Sequence, residues 1–153
     1  ATFRPDGGDV VSAARSIGFR FVALATGNDT DAEWVRRAGA EEGSESHGMM
    51  FRVNGAATFA RGANMIPMEE LEGWLSDDAH RALVRHAAAA NMNMLRVWGG
   101  GMFLIDAFYD ECDRLGVMLF HDMQYAQQGH SPRRTATQEG ELRHAVRRLS
   151  HHA

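Results

Sequence analysis

Asn91–Asp122, NMNMLRVWGGGMFLIDAFYDECDRLGVMLFHD, reads as strand, glycine loop, helix, turn and strand. Met92 to Val97 is a nearly continuous apolar run, as expected of a strand covered on both faces in a parallel sheet. Leu104, Ala107, Phe108 and Leu115 share one helical face, Asp106 suits the first turn, and Gly116 stops the helix. Val117 to Phe120 then restarts an apolar strand. A strand that returns through a helix to a parallel neighbour is a βαβ unit, and the chemistry of such folds gathers at the carboxyl ends of the strands. Arg96 and Trp98 stand at one such end, His121 and Asp122 at the next.

Upstream, Ser76 caps a helix with Asp77 and Asp78 in its first turn and Ala79, Ala82, Leu83, Ala87 and Ala90 as its apolar face, with Asn91 as the stop. Before it, Met50–Val53, Asn54-Gly55 and Ala57–Ala60 spell a hairpin with a type I′ turn. The second arm runs into RGANMIP, where Pro67 ends regular structure and Asn64 is left near the strand end. Strands near 57–64, 92–98 and 117–122 thus alternate with helices, the first three units of a repeating βα fold. Downstream of Asp122, MQYAQQGHSPRRTATQ has the character of a long βα loop. A third helix follows, with Glu139 and Glu141 early, Leu142, Val146 and Leu149 on one face, and Arg147, Arg148, His151 and His152 late. Its Arg143–Arg148 cluster is expected to be a solvated face rather than a phosphate site.

Residues 1–16 carry no clear periodicity, while Ile17, Phe19 and Phe21 alternate with Arg20 in the manner of a half-buried antiparallel strand over 17–24. That strand is expected to close a domain occupying residues 1–26. Residues 27–48 are polar and glycine-punctuated, a linker or insertion in which Thr30 and Glu33 form a capping box for a short helix through Val35. Glu41, Glu42 and Glu45 in the same segment are expected to be solvated rather than metal-binding. Residues 49–153 form the α/β domain.

The chain has 153 residues, a formal net charge of −4, eight histidines and a single cysteine. A complete βα barrel takes roughly 250 residues, so the α/β segment is expected to be a partial barrel. The acidic balance suggests no nucleic-acid partner and no anionic membrane surface, and no apolar run reaches spanning length. The opening residues are not expected to be a signal peptide. Cys112 has no partner for an intrachain disulfide and reads as a small helix residue rather than a reactive thiol.

Gly99-Gly100-Gly101 after a strand invites a dinucleotide reading, but the third glycine position is Leu104 and no acidic residue closes a second strand at the required distance. No cofactor is expected, and the glycines are read as a tight loop that opens space for a ligand. Arg96 within an apolar strand needs an anion. Two readings stand: a structural salt bridge, with Asp122 as partner, or a guanidinium that orients a catalytic carboxylate. Trp98 is either core or a platform for a sugar ring. His121-Asp122 resembles part of a nucleophile triad, yet adjacent strand residues point to opposite faces and no serine is placed to attack. The histidines offer no standard metal-ligand spacing.

Taken in order, FRVNG…FARGANMIP, NMNMLRVWGGGMF, FYDECDRLGVMLFHDM and RHAVRRLSHH resemble glycoside hydrolase family 2, and within it the β-mannosidase branch; LRVWGGG is the most specific block. The resemblance covers roughly residues 50–153. It implies the first three βα units of a (β/α)8 TIM barrel preceded by the terminal strand of an immunoglobulin-like β-sandwich. It further implies a retaining exo-glycosidase that removes terminal β-linked mannose through a covalent intermediate, with two glutamates as acid/base and nucleophile. The acid/base is expected in an Asn-Glu pair shortly after RRLSHHA, so neither catalytic glutamate is assigned to these residues and the isolated chain is expected to show no turnover. Carried over residue by residue, Arg96 matches the arginine that contacts the nucleophile, and Asn64, Trp98 and Asp122 match positions around the glycone pocket. The expected partner is a β-mannoside or oligosaccharide. Met65 replaces the usual tryptophan of GANWIP, which is expected to weaken one wall of the subsite, and the loop Gln124–Pro132 also departs from the pattern. A family-2 β-galactosidase or β-glucuronidase, or a non-catalytic carbohydrate-binding protein, are the alternatives.

Overall fold

The fold is taken from a computed structural model that describes residues 2–4, 6, 8–12, 14, 17–26, 36, 49–69, 71–126 and 135–152. Two short strands, β1 (Thr2–Phe3) and β2 (Val11–Ser12), pair antiparallel. An antiparallel sheet follows, made of β3 (Val22–Thr26), β4 (Met49–Val53) and β5 (Ala56–Thr58) in that order. Asn54 and Gly55 adopt φ values of 50° and 84°, the positive pair that a type I′ turn requires. Asn54 also clamps the preceding strand, donating its N–H to Phe21 O at 2.8 Å and accepting from Phe21 N at 2.9 Å through Oδ1.

The register explains why β3 starts later than the alternation suggested. Val22 pairs with Val53 and Thr26 with Met49, so the five residues of β4 are used up before Ile17 to Phe21 are reached. Those residues run past the partner, and Phe19 is left 92% exposed. The short helix through Val35 and the Glu41, Glu42 and Glu45 cluster lie outside the described residues.

A second sheet contains β6 (Gly62–Met65), β7 (Met94–Val97) and β8 (Met118–His121), parallel and in sequence order. The hairpin arm and β6 are separate strands, because Asn93 captures the backbone between them. Its Nδ2 donates to Phe59 O at 3.0 Å and its Oδ1 accepts from Arg61 N at 2.8 Å. Across the parallel sheet Asn64, Arg96 and Phe120 are register partners, and so are Met65, Val97 and His121. Period-two alternation therefore sends the first trio to one face and the second to the other.

Helices α1 (Asp77–Ala89) and α2 (Asp106–Leu115) cover the second face, and α3 (Ala136–Leu149) follows β8. The core joins Met65, Leu95 and Val97 of the sheet to Val84, Phe108, Tyr109 and Cys112 of the helices. Ser76 Oγ accepts from Ala79 N at 3.2 Å, the expected cap. The buried face of α1 is rotated from the alanine stripe: Ala79 and Ala90 are exposed, while His80 is 1% exposed. His80 tolerates burial because Nδ1 bonds Ser76 O at 2.8 Å and its ring packs T-shaped against Phe108 at 6.4 Å. Gly116 ends α2 with φ 71°, as its position predicts. In α3 the buried residue is Ala145, and Val146 is 51% exposed.

Glu111 is the one carboxylate of α2 that goes inside, at 5% exposure. It accepts from Arg114 Nη2 at 2.6 Å, Arg114 Nε at 2.8 Å and Arg85 Nε at 2.7 Å, tying α2 to α1. The Arg114 hydrogen bonds, helped by Arg85 and opposed by burial, hold the carboxyl at about 2, well below the ordinary 4.5. A folded-state value below the unfolded one favours the ionised native form above pH 4.5, and that stabilisation is lost as pH falls from 4.5 towards 2. Glu111→Gln is expected to cost about 1–2 kcal/mol at pH 7, less than a fully buried pair would, because both guanidiniums are more than half exposed. Urea unfolding of both proteins at pH 7 and pH 3 checks this; the gap between them narrows in acid.

Candidate functional site

Three parallel strands deliver their ends to one place. Arg96 on β7 donates from Nη2 to Asp122 Oδ2 at 2.6 Å and from Nε to Oδ1 at 3.3 Å, a two-pronged grip on the carboxylate that follows β8. On its other side Nη1 donates to Asn64 Oδ1 of β6 at 3.2 Å. The backbone N–H of Gly99 adds a further donor to Asp122 Oδ2 at 3.2 Å. The ion pair is half open to solvent, with side-chain exposures of 39% for Arg96 and 19% for Asp122. Among the described residues these bonds engage three of the five guanidinium N–H groups. Two N–H groups and the Asn64 amide remain to meet hydroxyls or a carboxylate. The salt bridge and the orienting role are thus compatible in one arrangement.

The glycine loop is tight for a reason that glycine count alone does not reveal. A Cβ on Gly100 would collide with the Trp98 indole, one on Gly101 would stand 2.9 Å from the Pro67 ring, and one on Gly99 would meet Met123 O and the Asp122 side chain. The loop yields its space to the protein's own Trp98, Pro67 and Asp122, and Trp98 is half-buried over it. Met65 stands corrected as a subsite wall: it is 6% exposed and belongs to the helix-facing core, since it alternates with Asn64.

His121 and Asp122 diverge, as adjacent strand residues must. His121 turns to the helical side, where its Nε2 lies 2.9 Å from Tyr109 Oη and its Nδ1 2.8 Å from Asp122 O. Burial, with a smaller contribution from the Arg148 charge, depresses the histidine below 6.5 against the raising effect of Asp122. Burial raises Tyr109 above 10.0. Cys112 is 3% exposed and burial pushes its thiol up to about 12, the behaviour of a core residue.

Tyr109 and Arg148 are the residues that pattern reading missed. Tyr109 lies outside the helix face formed by Leu104, Ala107, Phe108 and Leu115, though a tyrosine on a helix beside a strand-end histidine signals a polar contact. Arg148 belonged to an expected solvated face. Instead its Nη2 donates to Leu104 O and to Asp106 Oδ1, each at 2.6 Å, and its Cζ lies 5.5 Å from the centre of the Tyr109 ring.

Described residues line two cavities elsewhere on the molecule. One of about 310 Å³ runs between the antiparallel sheet and β8, past Val22, Phe51, Met118 and Phe120; the other, about 320 Å³, lies between Phe103, Gln124 and Tyr125 and helix α3. None of Asn64, Arg96, Trp98 and Asp122 is among the described residues lining these two cavities.

No family model matches the chain. A β-mannosidase of Mus musculus is 34% identical over 152 residues, which covers 98% of this chain and 16% of the relative. Beta-mannosidase A of Aspergillus aculeatus is 34% identical over 152 residues, 96% of this chain and 16% of the relative. Among solved structures, a β-D-mannosidase from Dictyoglomus thermophilum superposes with a TM-score of 0.74 at 28% identity, over 97% of this chain and 17% of that one. An exo-chitosanase of Amycolatopsis orientalis, at 23% identity and a TM-score of 0.61, shares the fold over 95% of this chain and 16% of its own. The chain therefore spans about a sixth of the length of the relatives it matches.

Proposed function

We propose, from the premise that the chain is a β-mannosidase-like segment of glycoside hydrolase family 2, that the polypeptide to which it corresponds is a retaining exo-glycosidase releasing terminal β-D-mannosyl residues. Asn64, Arg96, Trp98 and Asp122 form part of its glycone pocket. The observation that carries this is the Arg96 guanidinium bridging Asn64 and Asp122 across three parallel strand ends while keeping N–H groups to spare. In a retaining mechanism two carboxyl groups stand about 5–5.5 Å apart, one attacking the anomeric carbon and one first donating and then recovering a proton. Asp122 is engaged by Arg96 and Gly99, which suits a positioning group better than a nucleophile. Both catalytic glutamates are supplied by residues other than these 153, and the isolated chain turns nothing over.

Residues 49–153 are the opening of a (β/α)8 barrel, whose strands β6, β7 and β8 follow one another as successive parallel neighbours. Residues 1–26 end a β-sandwich and 27–48 connect the two. The antiparallel pairing of β3 with β4 then spans that junction. Mannoside is favoured over galactoside or glucuronide because curated relatives from both mammals and fungi carry the β-mannosidase name.

A panel of nitrophenyl glycosides tests the assignment. The 153-residue chain releases no nitrophenol, and the intact polypeptide cleaves the β-mannoside in preference to the β-galactoside and β-glucuronide. Release by the chain that Arg96→Ala abolishes would sink the proposed inactivity, and preference for another glycoside would sink the mannoside reading.

A further inference from the structure

We infer that Tyr109 and His121 form a positioning relay, a line of hydrogen bonds from the loop before α2 to the backbone of Asp122 that aims the carboxylate gripping Arg96. The relay rests on the assignment of Asn64, Arg96 and Asp122 as the sugar-binding cluster. Its members are contiguous. Leu104 N–H donates to Tyr109 Oη at 3.0 Å, Oη lies 2.9 Å from His121 Nε2, and His121 Nδ1 lies 2.8 Å from Asp122 O. One proton arrangement satisfies all three contacts. The Asp122 carbonyl can only accept, so in the neutral imidazole Nε2 is the unprotonated nitrogen and takes the hydrogen of Tyr109 Oη, whose oxygen accepts from Leu104 N–H. Nδ1 carries the remaining hydrogen and donates it to the Asp122 carbonyl.

The imidazole is held in plane as well as in tautomer. Phe103 stacks on it at 5.3 Å with a 20° tilt, and the Tyr109 ring lies 5.9 Å away at 21°. The same residue whose carbonyl is fixed, Asp122, carries the side chain that meets Arg96 Nη2 and Gly99 N. Twisting its peptide would swing both contacts. Alternation along β8 thus joins the two faces of the sheet: His121 is anchored among the helices, and its neighbour acts at the strand end.

Charged and titratable groups lie close to the relay. Arg148 of α3 lies over the Tyr109 ring and binds Asp106 of α2. His152, 5.4 Å from the Tyr109 ring, is bonded through Nδ1 to Asp113 Oδ2 at 2.7 Å. Cys112 and the Asp122 carboxylate complete the set. Burial and Arg148 oppose a positive charge on His121, which keeps the accepting Nε2 available near neutral pH. Protonation would give His121 two donors. Tyr109 Oη would then face two N–H groups, with its own hydrogen displaced from Nε2.

The test is ¹⁵N NMR on the full 153-residue chain, as wild type, Tyr109→Phe and Phe103→Leu. Tyr109→Phe keeps the ring and deletes the hydrogen bond. It is expected to abolish the single-tautomer signature of His121 and to speed solvent exchange of the Arg96 Nε–H at constant pH by roughly fivefold, the scale of one lost hydrogen bond. Phe103→Leu removes a stacking partner without a hydrogen bond and is expected to keep the single tautomer and to speed Arg96 exchange less than Tyr109→Phe does. If Arg96 exchange in Tyr109→Phe stays at the wild-type value, the relay is wrong. Should that variant fail to fold, titration of the wild type decides: the Arg96 Nε–H and Asp122 N–H shifts must follow the His121 midpoint below pH 6.5, and their indifference overturns the inference. Added mannose tests the underlying assignment separately. Mannose that leaves Asn64, Arg96 and Asp122 unperturbed defeats the sugar-binding role, while the exchange data still decide the relay.

Discussion

Arg96→Ala is expected to lower kcat/KM of the intact polypeptide on a β-mannoside by about two to three orders of magnitude, the scale at which losing an oriented donor or misplacing a reacting group registers. Two separate supports disappear with the guanidinium: the clamp on Asp122 and the bridge to Asn64. The backbone N–H of Gly99 still holds Asp122 Oδ2, so the strand end is loosened rather than dismantled. The stability loss is correspondingly moderate, about 1–3 kcal/mol for a carboxylate that is 19% exposed and loses its charged partner. Arg96→Lys restores the charge without the fork that spans Asn64 and Asp122, and it should recover little of the rate. Steady-state kinetics beside a urea melt separate the two effects. A variant within about threefold of wild type would show that Arg96 is purely structural.

The largest effect on stability belongs to Phe108. Its side chain is fully buried, with 0% exposure, between the T-shaped Tyr109 ring at 5.4 Å and the T-shaped His80 ring at 6.4 Å. It sits where α1, α2 and the parallel sheet meet. Phe108→Ala removes that filling and leaves a cavity that three packed elements cannot close, at an expected cost of about 3–5 kcal/mol. For a chain of this size that is roughly 10 °C in Tm. Phe108→Leu fills most of the volume and should lose well under half as much. Differential scanning calorimetry of the pair gives the comparison, and equal melting points for wild type and Phe108→Ala would remove Phe108 from the centre of the core.

The parallel βα pattern was legible because its signals are local and redundant. Apolar runs at 92–97 and 117–120, a serine at the helix start and Gly116 at the helix end each point to the same elements, and all are where the spacing placed them. Arg96 stood out because a guanidinium in an apolar strand demands an anion, and Asp122 was the acid one strand over. What escaped depended on partners distant in sequence. The start of β3 is fixed by the length of β4, the gap before β6 by Asn93, and the burial of His80 by the Phe108 ring of the next helix. Alanine is permissive enough to be read as either face of a helix, which is how the stripe on α1 came out rotated. Met65 is a matter of phase: a one-residue change of face moves a side chain from the strand-end cluster to the core. Tyr109, His121 and Arg148 became a group only through tertiary contacts across α2, β8 and α3.

The most direct test of the proposed sugar-binding cluster is a mannose titration of the ¹⁵N-labelled chain, followed by NMR with galactose as the control. The account predicts saturable perturbations centred on Asn64, Arg96, Trp98 and Asp122, larger for mannose than for galactose and lost in Arg96→Ala. Perturbations confined to other residues, or equal responses to both sugars, would contradict it.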